Sequence, residues 1–347
     1  MREVQVHPRE NDLVIATHGR GIWIIDDLTP LRALTAATLQ EQTTFLPGRP
    51  VQQRMPASGG WVDGDAVFVG DNPPAGAVIS YYLRTRHIFG PIKLEVLDAK
   101  GTLIDTITPS KHLGINRVVW NMRVKPPKVP RAAQVAFGSS QGPRVVPGTY
   151  TLRLTRGTDV KETKLVIGLD RRAPYTLADR KAHFDAMMKA HALFGDMTKL
   201  VDKIDAAREA LDEHEHKVSD KDPLAKKLRD ARGKLDEIKK LIVATTEGGA
   251  ITGEERIREH LDILYGALNG WEGRPAPYQT ARIDVLRREL TEADKQFGDF
   301  VKNEVHPLVP DISDLEVGDE PDPIAMHCVD TAGRDCGAAA ATATERD

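Results

Sequence analysis

The apolar positions change their period along the chain, and the changes divide it. In LVIATHGRGIWIIDDL, residues 13 to 28, two short runs rich in β-branched and aromatic residues, Leu13 to Thr17 and Gly21 to Asp26, flank His18-Gly19-Arg20-Gly21. Glycines in that position supply the positive φ angles of a tight turn, so the stretch predicts a β-hairpin. A two-stranded hairpin alone is only marginally stable in water, and this one needs a sheet. The following TPLRALTAATLQEQTTFLPGRPVQQR reads as a connector with one helical turn and one short strand. Pro47, Pro50, Pro56 and then Ser58-Gly59-Gly60 place a domain boundary near residue 60.

From about 66 to 169 short strands alternate with turn signals. The strand candidates are 77–84, 92–107 (a hairpin turning at Asp98-Ala99-Lys100-Gly101), 115–123, 148–157 and 160–169. That density of strands predicts a β-sandwich. The Pro- and Gly-containing stretch 125–148 is polar and broken, and reads as a long surface loop between two strands. Past Pro174 the period becomes 3.6. Thr176 with Asp179 reads as a helix start, and Phe184, Met187, His191, Phe194, Met197, Val201, Ile204 and Leu211 form one apolar stripe. A second helix is expected after Asp222-Pro223, a third from a capping box at Thr252 and Glu255, and a fourth over about 280–305. Each has a single apolar face, so a helical bundle follows. The acidic, then Ala/Thr-rich residues 312–347 are expected to be disordered. The fold class expected is therefore multidomain, β then α.

Composition adds exclusions. A net charge of -3 with a pI near 6.4 lacks the basic excess of a nucleic-acid binder. No apolar run is long enough for a membrane span, and MREVQVHPRENDLV lacks the pattern of a signal peptide, which as written predicts a cytoplasmic chain. Cys328 and Cys336 both fall in the polar tail, where they offer neither a disulfide scaffold nor a four-ligand zinc site.

Candidate chemistry is sparse. His214 and His216 in DEHEHK are two apart, whereas helical zinc ligands want a spacing of three or four; they read as a solvated helix end. Asp26-Asp27 and the acidic residues from Glu316 to Asp322 do not define the carboxylate pair of a glycosidase. The serines of SGG (58–60) and GSSQG (138–142) lack a nucleophile-elbow context. His191 reads as a core or interface histidine, and Trp120 and Tyr150 as sandwich core. Trp61 and Trp271, both beside glycine, read as packing at domain junctions, with sugar stacking the alternative. His18 and Arg20 in the hairpin turn are the candidates for a ligand-facing surface, Arg20 because its planar fork suits a carboxylate or sulfate. The sequence predicts no catalytic set, no cofactor and no bound metal.

Three segments together carry a resemblance. HPRENDLVIATHGRGIWIIDDLTPLR resembles the closing blade of the large β-propellers of BNR/Asp-box, sortilin (Vps10)-like proteins, a family often labelled glycosyl hydrolase or exo-sialidase-like. VFVGDNPPAGAVISYYL and VPGTYTLRLTRGTDVKETKLVIGLDRRAP are similar to the first and last strands of the immunoglobulin-like, flagellar-hook-capping-type module that follows the propeller there. The helical segment from Pro174 to about Asp311 is similar to that family's C-terminal end. No Ser-x-Asp-x-Gly-x-x-x-Trp Asp-box and no propeller-length repeat is found in these residues. The resemblance implies a remnant blade plus linker (1–60), an Ig-like sandwich (61–173), a helical bundle (174–311) and a tail (312–347). It implies a non-catalytic accessory or binding region whose partner is a propeller domain, missing from the N-terminal side or supplied by another chain. The alternative is part of a secreted or periplasmic, sialidase-like glycoside hydrolase whose active site lies in that propeller.

Overall fold

A computed structural model of the chain describes residues 2–19, 21–55, 74–219, 221–248 and 253–310. The structure mixes β and α: three sheets precede four long helices, with one short helix, α1 (Thr29–Arg32), among the strands. The first sheet is an antiparallel meander of β1 (Glu3–Val6), β2 (Leu13–Ala16) and β3 (Ile22–Ile25). The expected hairpin is β2–β3, and Gly19 (φ 72°) and Gly21 (φ 92°) carry its turn in the left-handed region. β1 is an additional strand, and the alternation Glu3-Val4-Gln5-Val6 is its signal in the sequence.

The presumed connector is more than a connector. β4 (Thr43–Leu46) pairs antiparallel with β6 (Ala77–Leu83), while β5 (Val51–Gln53) pairs parallel with β11 (Asp159–Leu169). Ordered sheet therefore begins at Thr43, well before residue 60. The turn around Pro47 and Pro50 is where the chain crosses from one sheet to the other. With β7 (Ile92–Leu97), β8 (Leu103–Ile107), β9 (Gly114–Trp120) and β10 (Gly148–Arg156), the two sheets run β4-β6-β9 and β5-β11-β10-β7-β8. They close on one core: Ile79, Tyr81 and Leu83 from β6 meet Leu94, Val96, Leu152, Leu154 and Ile167 from the larger sheet. Trp120 is buried against Tyr150 edge to face, ring centroids 5.7 Å apart, and donates its indole N–H to Asp105 Oδ2 at 3.1 Å.

The long helices are α2 (Leu177–Glu215), α3 (Pro223–Ile242), α4 (Ile257–Asn269) and α5 (Pro277–Phe300). α2 opens on a true capping box: Thr176 Oγ1 accepts from the Asp179 N–H, and the Asp179 carboxylate accepts from the Thr176 N–H. Ion pairs fix the sense of α3: Asp205, Arg208 and Glu215 of α2 meet Lys239, Asp236 and Arg229, falling on one helix as they rise on the other, so the two are antiparallel. α4 lies along the first half of α2, with Leu268 beside His183 and Tyr265 beside Phe194. α5 runs parallel to α2, with Arg274 on Asp179 and Arg287 on Asp196. One apolar core joins all four. Two expectations need correcting. The third helix starts at Ile257 without a side-chain cap, and Thr252 lies outside the described residues, so the capping box does not open it. The stretch 125–148 links β9 to β10 as expected, but it is a strap clamped to the helices instead of a surface loop. The Gly138 and Ser139 N–H groups and the Ser139 hydroxyl donate to the Asp262 carboxylate of α4 (3.0, 2.8 and 2.7 Å), and Thr198 donates to the Lys128 carbonyl. A Cβ on Gly138 would lie 2.1 Å from the Asp262 carbonyl oxygen, so only glycine permits that approach. Composition hid this role because the strap is bound through its backbone, which any polar sequence supplies.

Candidate functional site

Residues directly opposite in antiparallel strands project to one face. The register therefore gathers Val4, Ile15 and Trp23 in one row and Val6, Leu13 and Ile25 in the next, all on the same face of the first sheet. That face is entirely apolar, and nothing among the described residues buries it: Trp23 is 64% exposed, Val4 47% and Ile25 44%. On the opposite face Ile22 and Ile24 are also exposed, at 72% and 61%. Full burial of a large apolar side chain is worth about 1.5–3 kcal/mol, so the uncovered face forgoes on the order of 5–10 kcal/mol. Among the described residues both β1 and β3 are edge strands.

The sheet is nevertheless well tethered. Asp27, buried and at φ 48°, accepts from the Thr29 and Arg49 N–H groups (3.1 and 3.0 Å), and its own N–H donates to Asp12 Oδ1. Arg117 of β9 donates to the carbonyls of Asp26 and Asp27 at 3.0 and 2.7 Å. Asp26-Asp27 is thus the joint between the first sheet and the sandwich.

His18 is exposed at the hairpin tip, where its Nδ1 accepts from Arg2 Nε at 3.2 Å; Arg20 lies outside the described residues, as do Trp61, Cys328, Cys336 and the acidic tail. His214 and His216 accept or donate only within their own helix, at the carbonyls of Ala210 and Asp212. Among the described residues no three His, Cys, Asp or Glu side chains gather closely enough for a metal ion. Trp271 is half exposed and meets Tyr175 edge to face at 5.6 Å. A shallow groove of about 300 Å³ between α2 and α5 is lined by Lys199, Lys203 and Asp294 and crossed by the Arg287–Asp196 pair; its charges are paired or solvated.

A polar cluster that the sequence did not announce lies between sandwich and helices. Arg180, fully buried on α2, donates from Nη1 to His183 Nδ1 (2.9 Å) and from Nη2 to the carbonyls of Arg144 and Val145 (3.1 and 3.2 Å). Glu272 reaches Arg144 at 3.1 Å, Arg180 at 3.8 Å and the Tyr175 hydroxyl at 3.3 Å. Because His183 Nε2 donates to the Leu268 carbonyl (2.8 Å), Nδ1 must be the lone-pair nitrogen that Arg180 uses, and the ring is neutral. Its pKa is lowered, first by burial and also by the neighbouring guanidinium. His191 is interfacial, its Nε2 bonding the Lys125 carbonyl of the strap at 3.1 Å, and burial lowers it too. Arg144 is held by the Arg54 carbonyl and the Glu272 carboxylate and Arg180 by two carbonyls and His183, while Arg180 Nε is buried without a hydrogen-bond partner among the described residues, 3.8 Å from Glu272; the cluster is a weld between two regions of the fold. Arg180 was invisible in the sequence because its burial depends on the strap folding over it.

Set beside known proteins, the chain matches no protein-family model, no curated protein and no solved structure.

Proposed function

We propose that this chain is a non-catalytic accessory region of a BNR/Asp-box, sortilin-like propeller protein, and that its work is to pack against a propeller. On this reading β1–β3 is part of the last propeller blade, the two sheets sharing the Trp120 core are the immunoglobulin-like module, and the helices are the C-terminal bundle. The observation that carries the reading is the first sheet, apolar on one whole face and, among the described residues, exposed on both and open at both edges. A propeller blade is covered on each face by its neighbours, which is the environment this side-chain pattern requires. The polar weld supports the accessory role, since its buried Arg144 and Arg180 are spent on holding sandwich and helices together. Two measurements test the proposal. The DNA upstream of Met1 is expected to continue in frame into Asp-box repeats, and a stop codon or unrelated gene there counts against it. The chain by itself is expected to leave aryl glycosides and sialosides intact; turnover abolished by changing a single carboxylate would move the chemistry into these residues and overturn the accessory reading.

A further inference from the structure

The sandwich has two ends. At one, β6 begins at Ala77 beside Trp120, where the strap leaves for the helices; at the other, β6 ends at Leu83 beside Gly114, next to the one-turn helix Thr38–Gln40, whose Gln40 carbonyl accepts from Arg84 Nη1 at 3.1 Å. The free end carries the loop 84–91, which is ordered from within. His87 is buried; its backbone N–H donates to the Lys111 carbonyl at 3.0 Å, its Nε2 donates to the Gly90 carbonyl at 2.9 Å, and its Nδ1 accepts from Arg156 Nε at 3.3 Å. Arg156 also bonds Thr85 Oγ1 at 2.8 Å, and Gly90 at φ 84° turns the chain back into β7.

This clamp faces inward and leaves the large apolar side chains outside. Phe89 is 87% exposed, Ile88 68%, and Leu113 of the adjoining loop 65%. A loop held this tightly could have tucked its aromatic residue in and left histidine in water; the arrangement is the reverse. The rim is cationic, with Arg84, Arg86 and Lys111 all exposed. Between Asp105 and Asp159 the chain has no Asp or Glu, and the acidic residues closest by strand pairing, Glu41, Asp159 and Glu95, are each in an ion pair with Lys161 or Lys93.

We infer that this end of the sandwich is a docking tip for an anionic phospholipid surface, Ile88, Phe89 and Leu113 entering the headgroup boundary and the three cations meeting the phosphates. Exposed apolar side chains and exposed cations on the same two adjoining loops fit a negatively charged, deformable surface with an apolar interior, and the two contributions add. The inference is independent of the propeller reading.

The test is co-sedimentation of the full chain with phosphatidylcholine vesicles with and without phosphatidylserine. Binding is expected only to the anionic vesicles, and it weakens as salt rises from about 0.1 M to about 1 M, where the screening length falls from ~10 to ~3 Å. Changing Arg84 and Arg86 together to Ala is expected to weaken binding roughly 25-fold, since each cation near such a surface contributes about fivefold. Changing Ile88 and Phe89 together to Ser should abolish it, with the thermal midpoint unchanged because both are exposed. The first sheet is a second apolar surface, so Trp23→Ser with Ile25→Ser is the control and leaves binding intact. Equal binding to neutral vesicles, no binding, or binding lost only in the Trp23/Ile25 variant overturns the inference. So does a tip variant that changes the oligomeric state while vesicle binding persists, which would assign the tip to self-association.

Discussion

The first sheet and the sandwich are written in the same alphabet. Both use short strands rich in Val, Ile, Leu and an aromatic, yet in the sandwich the apolar rows of β6 meet those of β7, β10 and β11, while the rows of β1–β3 meet nothing described. Two tryptophans summarise the contrast: Trp120 is 1% exposed and Trp23 64% exposed. Apolar patterning states which surface must be removed from water; it does not state whether this chain supplies the partner.

Paired substitutions can break that contrast. The largest effect is expected at Trp120→Ala, about 3–5 kcal/mol in urea unfolding, because the cavity falls in a core closed on all sides. Glu272→Gln tests the weld: it leaves Arg144 and Arg180 buried without their carboxylate, and a loss of about 3 kcal/mol or more is expected. A loss below about 1 kcal/mol would mean that water reaches those guanidinium groups. Gly138→Ala forces the strap off α4 and is expected to cost about 1–3 kcal/mol. Proteolysis between residues 125 and 148 should then accelerate.

Acid should loosen the same joint. His183 and His191 are neutral when folded, with pKa values depressed below the ordinary 6.5, so the unfolded chain binds more protons as the pH drops past that value. Their contribution is therefore complete above about pH 6.5 and is lost progressively below it. The urea midpoint should be lower at about pH 5 than at about pH 7.5, and His183→Gln should reduce the difference. The smallest effect is expected at Trp23→Ala, within about 0.5 kcal/mol for the chain alone. A cost approaching that of Trp120→Ala would mean that the first sheet is covered in solution, and analytical ultracentrifugation would then show whether a second copy covers it.

Much of this arrangement was legible in the residues. Gly19 and Gly21 announced the hairpin, Thr176 with Asp179 announced the start of α2, and the heptad-like returns of Met187, Phe194, Val201 and Ile204 announced its buried stripe. Where the reading fell short, local pattern carried no information about partners. β4 and β5 are too short and proline-flanked to declare that they belong to opposite sheets, and residues 125–148 gave no sign that they fasten the helices. Nothing in the local pattern set Arg180 or Glu272 apart from the other charges of the chain.

The sequence by itself determined the elements and their faces, because side-chain period, glycine φ and capping act within a few residues of chain. Only the tertiary structure decided which charges became a buried weld, which loop became a strap and which apolar faces were left in water. Those outcomes depend on contacts between residues far apart in the chain, such as Arg144 with Glu272 and Gly138 with Asp262, and no local pattern encodes them.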